Sequence, residues 1–509
     1  MNNLSPEQEY ALQKFEEGEN LFITGPGGTG KTTLIHYFKE SAERRGLKEQ
    51  VCAMTGCAAL LLNCKARTLH SWSGIKLAKG KIEDIISGVV RSSKTVKTWR
   101  DTKILIVDEV SMMSLKIFEL LFFLGKRIRR DQRPFGGIQV IFTGDFYQLP
   151  PVGNANEPET QRFCFESEYW QQTFTMDNHI QLTTMFRQKD PIYQSVLLSI
   201  RKGAITQEQI ELLEKHVNRK YNQEENHGCI PTKLFPIKSR VEHYNQIMFD
   251  SLPGEINDYS YTSMTNCRSY LDGTNRLISS NDLQRCAALT YKEQQLEIEA
   301  LLNNSSCPQQ LVLKKGACVM CTFNLELESG ICNGSLGIIQ DFNTKQGIKI
   351  PVVRFSNGII REISPQYWQS EEYPTIAISQ IPLCLSWALT IHKIQGATLP
   401  MADMDIGRNV FEYGQTYVAL SRVKSLDGLY LSGFSPKNIR ANQIVTRFYS
   451  SIPEVEYEIE YENEEEEKTI DNSNNTDKEL EIEPFIEKDA NVKTFTRFEY
   501  RPEIIVQKC

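Results

Sequence analysis

The segment GPGGTGKT, residues 25–32, has the residue types and spacing of a phosphate-binding loop. It follows the apolar stretch NLFITG and precedes a helical pattern from Lys31, which is the context that the pattern G-x-x-x-x-G-K-[ST] requires. Backbone N–H groups and the positive end of a helix dipole bind phosphate oxygens in such a loop. Lys31 is expected to contact the β- and γ-phosphates and the Thr32 hydroxyl to ligate Mg²⁺. The predicted nucleotide-binding residues here are Gly25, Pro26, Gly27, Gly28, Thr29, Gly30, Lys31, Thr32 and Thr33.

An acidic pair, Asp108 and Glu109, ends a second apolar strand in KILIVDE. Such a pair after a strand is common on protein surfaces, but beside a phosphate-binding loop it indicates phosphoryl transfer. Asp108 is then expected to hold Mg²⁺, together with Thr32, and Glu109 to act as the general base for the attacking water. The two segments together predict a nucleoside triphosphatase that uses ATP and Mg²⁺.

Gln8 in LSPEQ has two interpretations. Ser5, Pro6 and Gln8 match a helix capping box with proline at the first helical position, which is a sufficient structural reason for the glutamine. The Gln8 amide also has the donor and acceptor needed to bind an adenine edge. The sequence leaves both interpretations open.

The elements that must position these residues form two α/β units. Residues 1–175 alternate apolar strands with helices, which predicts a parallel sheet covered on both faces and interrupted by a small basic excursion at 68–101. A second α/β unit is predicted over 176–310 and 379–450. Between its halves, residues 311–378 are rich in strand patterns with Asn-Gly turns, which predicts a small β-barrel insertion.

Composition restricts the possible classes of protein. The chain has 509 residues, 40% of them hydrophobic and 24% charged, without a run of about 18 apolar residues that would predict a membrane span. The N-terminal residues lack the pattern of a secretion signal, and the thirteen scattered cysteines suit a reducing compartment, the nucleus or cytoplasm. Cys318 and Cys321 have zinc-knuckle spacing but no second pair, and structural thiols are the preferred interpretation.

Charge is unevenly distributed along the chain. The net charge is −7, but residues 454–509 contain 18 acidic and 7 basic residues, so the preceding 453 residues carry a net charge of +4. A polyanionic partner is therefore compatible with the acidic overall composition. The run from 454 to about 490 has low complexity and is predicted to be disordered, and a protein partner for the acidic tail is one interpretation.

Eight segments of the chain resemble superfamily-one DNA helicases, and more narrowly the petite integration frequency (Pif-one) family. They lie within residues 4–435 and read LSPEQ, GPGGTGKT, TLHSWSGI, ILIVDEVSMMS, PFGGIQVIFTGDFYQLPPV, FRQ, SWALTIHKIQGATL and YVALSRVKSLDGLYL. The PFGGIQ segment favours this family over a RecD-like or Dda-like helicase. The resemblance implies two RecA-like domains, with a wedge insertion at about 68–101 and an SH3-like barrel at 311–378.

Three further catalytic residues follow from the resemblance. It implies that Gln148 contacts the γ-phosphate or the attacking water, as a neutral amide able to donate and to accept without adding charge. A buried glutamine that ends a strand is the structural alternative. Arg187 in MFRQ and Arg422 in ALSRV are implied to reach the γ-phosphate from the second domain and to stabilise the transferred phosphoryl group.

The resemblance also implies contacts to single-stranded DNA, made to phosphates and base faces without sequence readout. The candidate residues are Thr55, His70 and Trp72 in the first domain and Thr390, His392, Lys393 and Lys424 in the second. The two histidines have hydrogen-bonded structural roles as an alternative.

The activity that the resemblance implies is ATP-dependent translocation 5′→3′ on single-stranded DNA with unwinding of forked or 5′-tailed duplex, in replication, repair or recombination. The alternative is a DNA-stimulated ATPase that translocates and displaces proteins without unwinding.

Overall fold

The computed structural model describes residues 4–461 and 492–500, apart from gaps at 63, 65, 77, 222–229, 272–275, 305–307, 327, 328, 330, 346 and 371–372. The first lobe has a six-stranded sheet in the order β3-β2-β4-β5-β1-β6, and every pairing in it is parallel. Its strands are β1 (Leu21–Thr24), β2 (Glu49–Ala53), β3 (Arg67–Thr68), β4 (Ile104–Asp108), β5 (Gln139–Gly144) and β6 (His179–Gln181). Its helices are α1 (Pro6–Glu16), α2 (Lys31–Arg44), α3 (Gly56–Leu61), α4 (Leu69–Ser73), α5 (Ile82–Val90), α6 (Ser93–Asp101), α7 (Leu115–Arg129) and α8 (Trp170–Thr173).

Both faces of this sheet are covered, as continuous apolar strands predict. Alternate residues of each strand enter different hydrophobic clusters, because successive side chains of a strand point to opposite faces. Ile104 and Ile106 of β4 pack with the side chains of α1 and α2, whereas Leu105 and Val107 pack with those of α7. Since β6 pairs with β1, the first lobe extends beyond the predicted limit at 175.

The basic excursion at 68–101 forms α4, α5 and α6 and packs into the core of the first lobe. Trp72 stacks on Trp99 with ring centroids 4.5 Å apart, and the Trp99 indole donates to the Ser73 carbonyl oxygen at 3.2 Å. Val89 of α5 joins the same hydrophobic cluster. This excursion is thus anchored to the lobe by its aromatic side chains.

The remaining strands belong to the second lobe and its insertion. They are β7 (Thr232–Phe235), β8 (Asn257–Ser260), β9 (Thr262–Met264), β10 (Gln310–Leu313), β11 (Cys318–Cys321), β12 (Leu336–Lys345), β13 (Ile348–Phe355), β14 (Ile360–Glu362), β15 (Gln366–Gln369), β16 (Ala377–Gln380), β17 (Leu383–Leu385), β18 (Ala388–Thr390), β19 (Ala402–Ile406) and β20 (Leu429–Phe434). The helices are α9 (Pro191–Lys202), α10 (Gln207–Glu214), α11 (Lys238–Ser251), α12 (Ser280–Ala287), α13 (Tyr291–Asn304), α14 (Gln415–Leu420) and α15 (Gln443–Ser450). The second lobe has a parallel sheet in the order β18-β7-β19-β20, so its strands come from both sides of the insertion.

The insertion is wider than the predicted 311–378. Five antiparallel strands form its main sheet, in the order β14-β13-β12-β11-β17. Two further pairings, β8 with β10 and β9 with β16, bring residues 257–264 into the insertion rather than into the second lobe. Because β8 and β9 are short and largely exposed, their residues have little of the periodic hydrophobic pattern that predicts a strand. In β11 Cys321 is buried and Cys318 half-buried, and the described residues hold no cluster of metal-ligating side chains.

The C-terminal helix α15 packs on the first lobe, which corrects its assignment to the second. Val445 and Tyr449 lie in the cluster that contains Phe22 and Phe146. The Tyr449 ring stacks on Tyr147 with centroids 4.8 Å apart, and its hydroxyl lies 2.6 Å from the Thr24 hydroxyl. Aromatic partners that are distant in sequence determine this position, so local patterns could not predict it.

A buried ion pair links the lobes beside this helix. The Arg201 guanidinium of α9 donates to both carboxylate oxygens of Asp145, each at 2.9 Å. The same guanidinium lies 4.6 Å from the Tyr147 ring centroid and 5.2 Å from that of Tyr449. Since α9 packs in the core of the second lobe and Asp145 follows β5, the pair joins the two lobes through buried charges.

Two segments of the acidic tail form strands, and the rest of the stretch predicted to be disordered lies outside the described residues. Strand β21 (Glu454–Tyr461) pairs antiparallel with β22 (Val492–Tyr500). The sequence EVEYEIEY alternates acidic with apolar residues, a period-two strand signal that the charge count concealed. Residues 462–491 and 501–509 lie outside the described residues. No helix in the described part of the chain has the length and apolar character needed to cross a membrane.

Candidate active site

A cavity of about 610 Å³ lies between the two lobes and contains most of the predicted catalytic residues. The residues that line it are Leu4, Gln8, Gly27, Gly28, Gly30, Lys31, Thr32, Thr33, Asp108, Glu109, Gln148, Phe186, Arg187, Gly396 and Arg422. The carboxyl ends of β1, β4 and β5 supply the glycine-rich loop, the acidic pair and the segment with Gln148. Because the carboxyl ends of parallel strands lie at one edge of a sheet, residues distant in sequence meet there.

The glycine-rich loop begins helix α2 at one wall of the cavity. The Lys31 ammonium donates to the carbonyl oxygens of Gly25, at 2.7 Å, and Pro26, at 2.9 Å. Burial is the largest effect on the Lys31 pKa and lowers it. Gly25, Pro26 and Thr29 lie behind the cavity lining, whereas the other six predicted loop residues face the cavity. Six residues of the loop thus line one cavity, and the loop's own carbonyl oxygens hold the Lys31 ammonium beside it.

Tyr417 and Arg187, which lie outside the glycine-rich loop, contact its glycines. The Gly27 N–H donates to the Tyr417 hydroxyl of α14 at 2.8 Å, so the second lobe touches the loop directly. Gly28 has φ +91°, and a Cβ there would collide with Arg187. Arg187 lies on the chain segment that follows β6, and its backbone N–H donates to the Gly28 carbonyl oxygen at 3.3 Å. Its backbone therefore belongs to the connection between the lobes, and not to the second lobe as predicted.

The acidic pair is buried against the loop. One oxygen of Asp108 accepts from the Glu109 N–H at 2.9 Å and from the Thr143 hydroxyl. Burial raises the pKa of Asp108, and burial together with the neighbouring Asp108 charge raises the pKa of Glu109 to about 7. Glu109 has φ +57°, a left-handed conformation that is uncommon for a residue with a side chain. Such strain at a carboxylate of raised pKa is typical of functional sites.

Gln395 connects two of the predicted residues and was missed from the sequence. Its amide nitrogen donates to Glu109 Oε2 at 2.9 Å and lies 3.4 Å from Gln148 Oε1. Gln148 is only 5% exposed, and Gln395 is also buried. The segment HKIQGAT that contains Gln395 had already been singled out for His392 and Lys393, so a signal was present. One amide of the second lobe thus bridges two polar groups of the first.

The two arginines converge on the opposite wall. The Arg422 guanidinium donates to the Val418 carbonyl oxygen at 2.8 Å and to the Ser421 hydroxyl at 2.7 Å. Arg187 donates to the carbonyl oxygens of Ser421 and Gly396, each at 3.3 Å. Burial and then the charge of Arg187 lower the pKa of Arg422. The buried Arg422 guanidinium and the half-buried Arg187 guanidinium repel each other, so they form a site that an anion would stabilise.

Gln8 and Phe186 lie at the end of the cavity near α1. The Ser5 N–H donates to Gln8 Oε1 at 3.0 Å, as in the capping-box interpretation, and Gln8 Nε2 donates to the Thr29 carbonyl oxygen at 3.2 Å. Gln8 thereby ties α1 to the glycine-rich loop. Phe186, 49% exposed, was missed from the sequence because a single aromatic residue before an arginine has no distinctive spacing. Its ring presents a flat apolar face to the cavity.

The predicted DNA contacts differ in their positions. Thr55 follows β2, and its hydroxyl accepts from the Ala58 N–H at 3.2 Å. Thr390 ends β18, and its hydroxyl accepts from the Lys393 N–H at 3.1 Å. The two lobes therefore repeat one local structure, a threonine-capped turn after a parallel strand.

The other candidates divide into accessible and buried residues. Lys424 is exposed, whereas His70 and His392 are partly buried, and burial lowers the pKa of both histidines. Trp72 is 1% exposed and packs on Trp99, so its assignment as a base-stacking residue is wrong. The helix α4 turns this tryptophan toward the core of the first lobe, where its apolar area is buried.

Comparisons with known proteins give one consistent family. Residues 3–211 match the model of the PIF1-like helicases, and residues 298–342 match that of the 2B domain of DNA helicase Pif1. The ATP-dependent DNA helicase PIF1 of Xenopus laevis is 35% identical over 88% of this chain and 64% of its own length. The ATP-dependent DNA helicase RRM3 of Saccharomyces cerevisiae is 31% identical over 88% of this chain and 68% of its own length. The chain therefore spans somewhat less than two thirds of the PIF1 relative.

Solved structures show the same similarity. The Pif1 helicase of Candida albicans superposes with a TM-score of 0.72 and 32% identity, covering 88% of this chain and 99% of that one. The Pif1 of Bacteroides sp. in complex with ADP-AlF4 has a TM-score of 0.67 and 25% identity, covering 89% and 97% of the two chains. A Bacteroides Pif1 bound to single-stranded DNA has a TM-score of 0.61 and 26% identity, with the same coverages.

Proposed function

The chain belongs to the PIF1-like helicase family, and from this premise we propose that it is an ATP-dependent DNA helicase. The observation that carries the proposal is the interlobe cavity, where a glycine-rich loop and an acidic pair face two arginines. Gln395 of the second lobe donates to Glu109 at its edge. A triphosphate in this cavity would contact both lobes at once. Its binding would draw the lobes together, and hydrolysis would release them.

The protein groups have separable roles in hydrolysis. Lys31 and the loop N–H groups bind the β- and γ-phosphates, and Glu109 accepts the proton of the attacking water. Gln148 orients that water, while Arg187 and Arg422 stabilise the charge that develops on the transferred phosphoryl group. Phe186 provides a stacking face for the base beside Gln8, whose amide is held by the α1 cap.

The oxygen donors in the cavity fit Mg²⁺. Thr32 and Asp108 both face it, and one Asp108 oxygen accepts two hydrogen bonds while the other accepts none among the described residues. Mg²⁺ prefers such a set, with few protein oxygens and the rest supplied by water and phosphate. Bound there, the ion would neutralise phosphate charge.

DNA is proposed to cross both lobes at the two threonine-capped turns. Equivalent turns at Thr55 and Thr390 would bind successive phosphates. The other proposed DNA contacts are His392, Lys393 and Lys424 on the second lobe and His70 on the first.

Movement 5′→3′ is proposed from the family resemblance, and so is a role in replication, repair or recombination. The anchored excursion at 68–101 is proposed as the wedge that separates the duplex strands, and the five-stranded insertion as an SH3-like clamp on the DNA.

An intracellular, reducing location is also proposed, and the free thiols of the described cysteines support it. The negative charge of residues 454–509 supports a protein partner for the tail.

Two measurements test the proposal. ATP hydrolysis should rise at least tenfold when single-stranded DNA is added, and a rate unchanged by DNA would contradict the proposal. Forked duplex and duplex with a 5′ tail should be unwound, and duplex with a 3′ tail should not. Stimulated hydrolysis without unwinding, but with displacement of a bound protein, would establish the translocase alternative instead.

A further inference from the structure

A surface loop between β19 and α14 exposes two aromatic rings beside the proposed DNA path. This aromatic loop, residues 407–414, contains Phe411, 57% exposed, and Tyr413, 37% exposed. It follows the carboxyl end of β19, and Thr390 ends β18 at the same edge of the sheet. Exposed rings lose little conformational entropy when they bind a flat partner, since they have only two side-chain torsions.

Positive charge accompanies these rings. The Arg440 guanidinium lies 4.9 Å from the centroid of the Tyr413 ring. Arg408 is exposed, and no ion pair to it occurs within the part of the chain that the structure describes. The acidic residue of the loop, Glu412, accepts from the N–H of Tyr413 at 3.0 Å and lies close enough to His392 to favour the charged imidazole. Aromatic faces among cations are the surface that single-stranded nucleic acid binds.

The loop is held rigidly against the segment that carries Gln148. The N–H groups of Phe411 and Glu412 both donate to the buried side-chain oxygen of Gln415, at 3.2 and 3.3 Å. Gly414 has φ +76°, and a Cβ there would collide with the carbonyl oxygen of Gln148. The rings are therefore presented on a fixed backbone that packs on the catalytic segment.

We propose that Phe411, supported by Tyr413, is a stacking platform for the bases of the translocating single strand. The inference rests on the proposed helicase function and adds base contacts to the phosphate contacts assigned above. Every base has a flat face, so the platform accepts any sequence, as translocation requires. Because Gly414 packs on Gln148, a base on Phe411 would contact a loop that packs on the segment proposed to contact the γ-phosphate.

Equilibrium binding of labelled oligothymidylate to the full chain, by fluorescence anisotropy at one fixed salt concentration, tests the platform. Phe411→Ala should weaken binding about five- to a hundredfold, the range expected when one stacked base is lost. Phe411→Trp should restore wild-type affinity, because it keeps a ring, and Phe411→Leu should not. Tyr291→Ala removes another exposed aromatic residue, on α13, which at 77% is more exposed than Phe411, and should bind as wild type does.

An oligonucleotide of the same length with abasic sites separates stacking from phosphate contact. Wild type should bind it more weakly than oligothymidylate, whereas Phe411→Ala should bind the two with the same affinity. If Phe411→Ala keeps both the wild-type affinity and the preference for bases, the platform is refuted. If Phe411→Leu matches wild type, an apolar contact replaces stacking and the inference again fails. Wild-type protein that binds no single strand would instead refute the proposed function itself.

Discussion

Replacing Gln395 with alanine removes the side-chain amide that links the second lobe to Glu109. Its hydrogen bond to the Glu109 carboxylate, 2.9 Å long, is a charged one, and such bonds contribute about 1.5–3 kcal/mol. The contact to Gln148, at 3.4 Å, adds little. If the bond positions Glu109 in the transition state, kcat should fall by about ten- to a hundredfold, since 1.4 kcal/mol corresponds to a factor of ten. Gln395 contacts no residue of the glycine-rich loop among its hydrogen-bond partners, so KM for ATP should change less than about twofold.

The assay is steady-state ATP hydrolysis at saturating single-stranded DNA. Gln395→Glu keeps the shape but places a carboxylate against Glu109, so its kcat should fall further than that of the alanine variant. Gln246→Ala, on the exposed face of α11, is the matched control and should behave as wild type. A kcat of Gln395→Ala within twofold of wild type, or a rise in KM for ATP alone, would refute the role of Gln395 in positioning Glu109.

Three further outcomes are expected. Lys31→Ala should lower ATP hydrolysis more than a hundredfold and leave binding of single-stranded DNA within about threefold, because the lysine is proposed to bind the phosphates and is assigned no DNA contact; an equal loss in both assays would contradict this. Glu109 has a pKa of about 7 in the folded protein, against an ordinary value of 4.5. Between these two pH values the folded state therefore binds more protons than the unfolded state, and wild type loses stability as the pH rises from the lower value to the higher. Glu109→Gln should therefore raise the thermal midpoint at pH 8, by a free energy on the order of 3 kcal/mol, and the gain should vanish near pH 4.5; equal midpoints at pH 8 would refute it. Arg201→Met leaves the buried Asp145 carboxylate unpaired and should cost about 3–5 kcal/mol in chemical denaturation, most of it recovered by adding Asp145→Asn; a cost below about 1 kcal/mol would show that the pair is not a structural link.

Sequence reasoning succeeded where chemistry is encoded locally. The glycine-rich loop, the acidic pair and the arginines lie in short segments whose spacing fixes their geometry, and the structure brings them into one cavity. It failed where position depends on distant partners. The sequence neighbours of Trp72 in TLHSWSG are mostly polar, as on an exposed helix, yet the side chain is buried against Trp99.

The same reason explains the errors in domain limits. Strand β8 is recognisable only through its pairing with β10, some fifty residues away, and α15 only through aromatic contacts to the first lobe. Gln395 and Phe186 were missed because a single amide or ring has no spacing to recognise. Gln395 is identified only by its hydrogen bond to Glu109, and Phe186 only by its position in the cavity lining.

The return of α15 to the first lobe means that the chain passes between the lobes twice, once after β6 and once after β20. These two crossings permit the lobes to rotate about the line that joins them, and they resist rotation about any other axis. The two lobes should thus open and close by rotation about one hinge axis. In the proposed helicase, closure about this one axis would move the turns at Thr55 and Thr390 relative to each other along a single path.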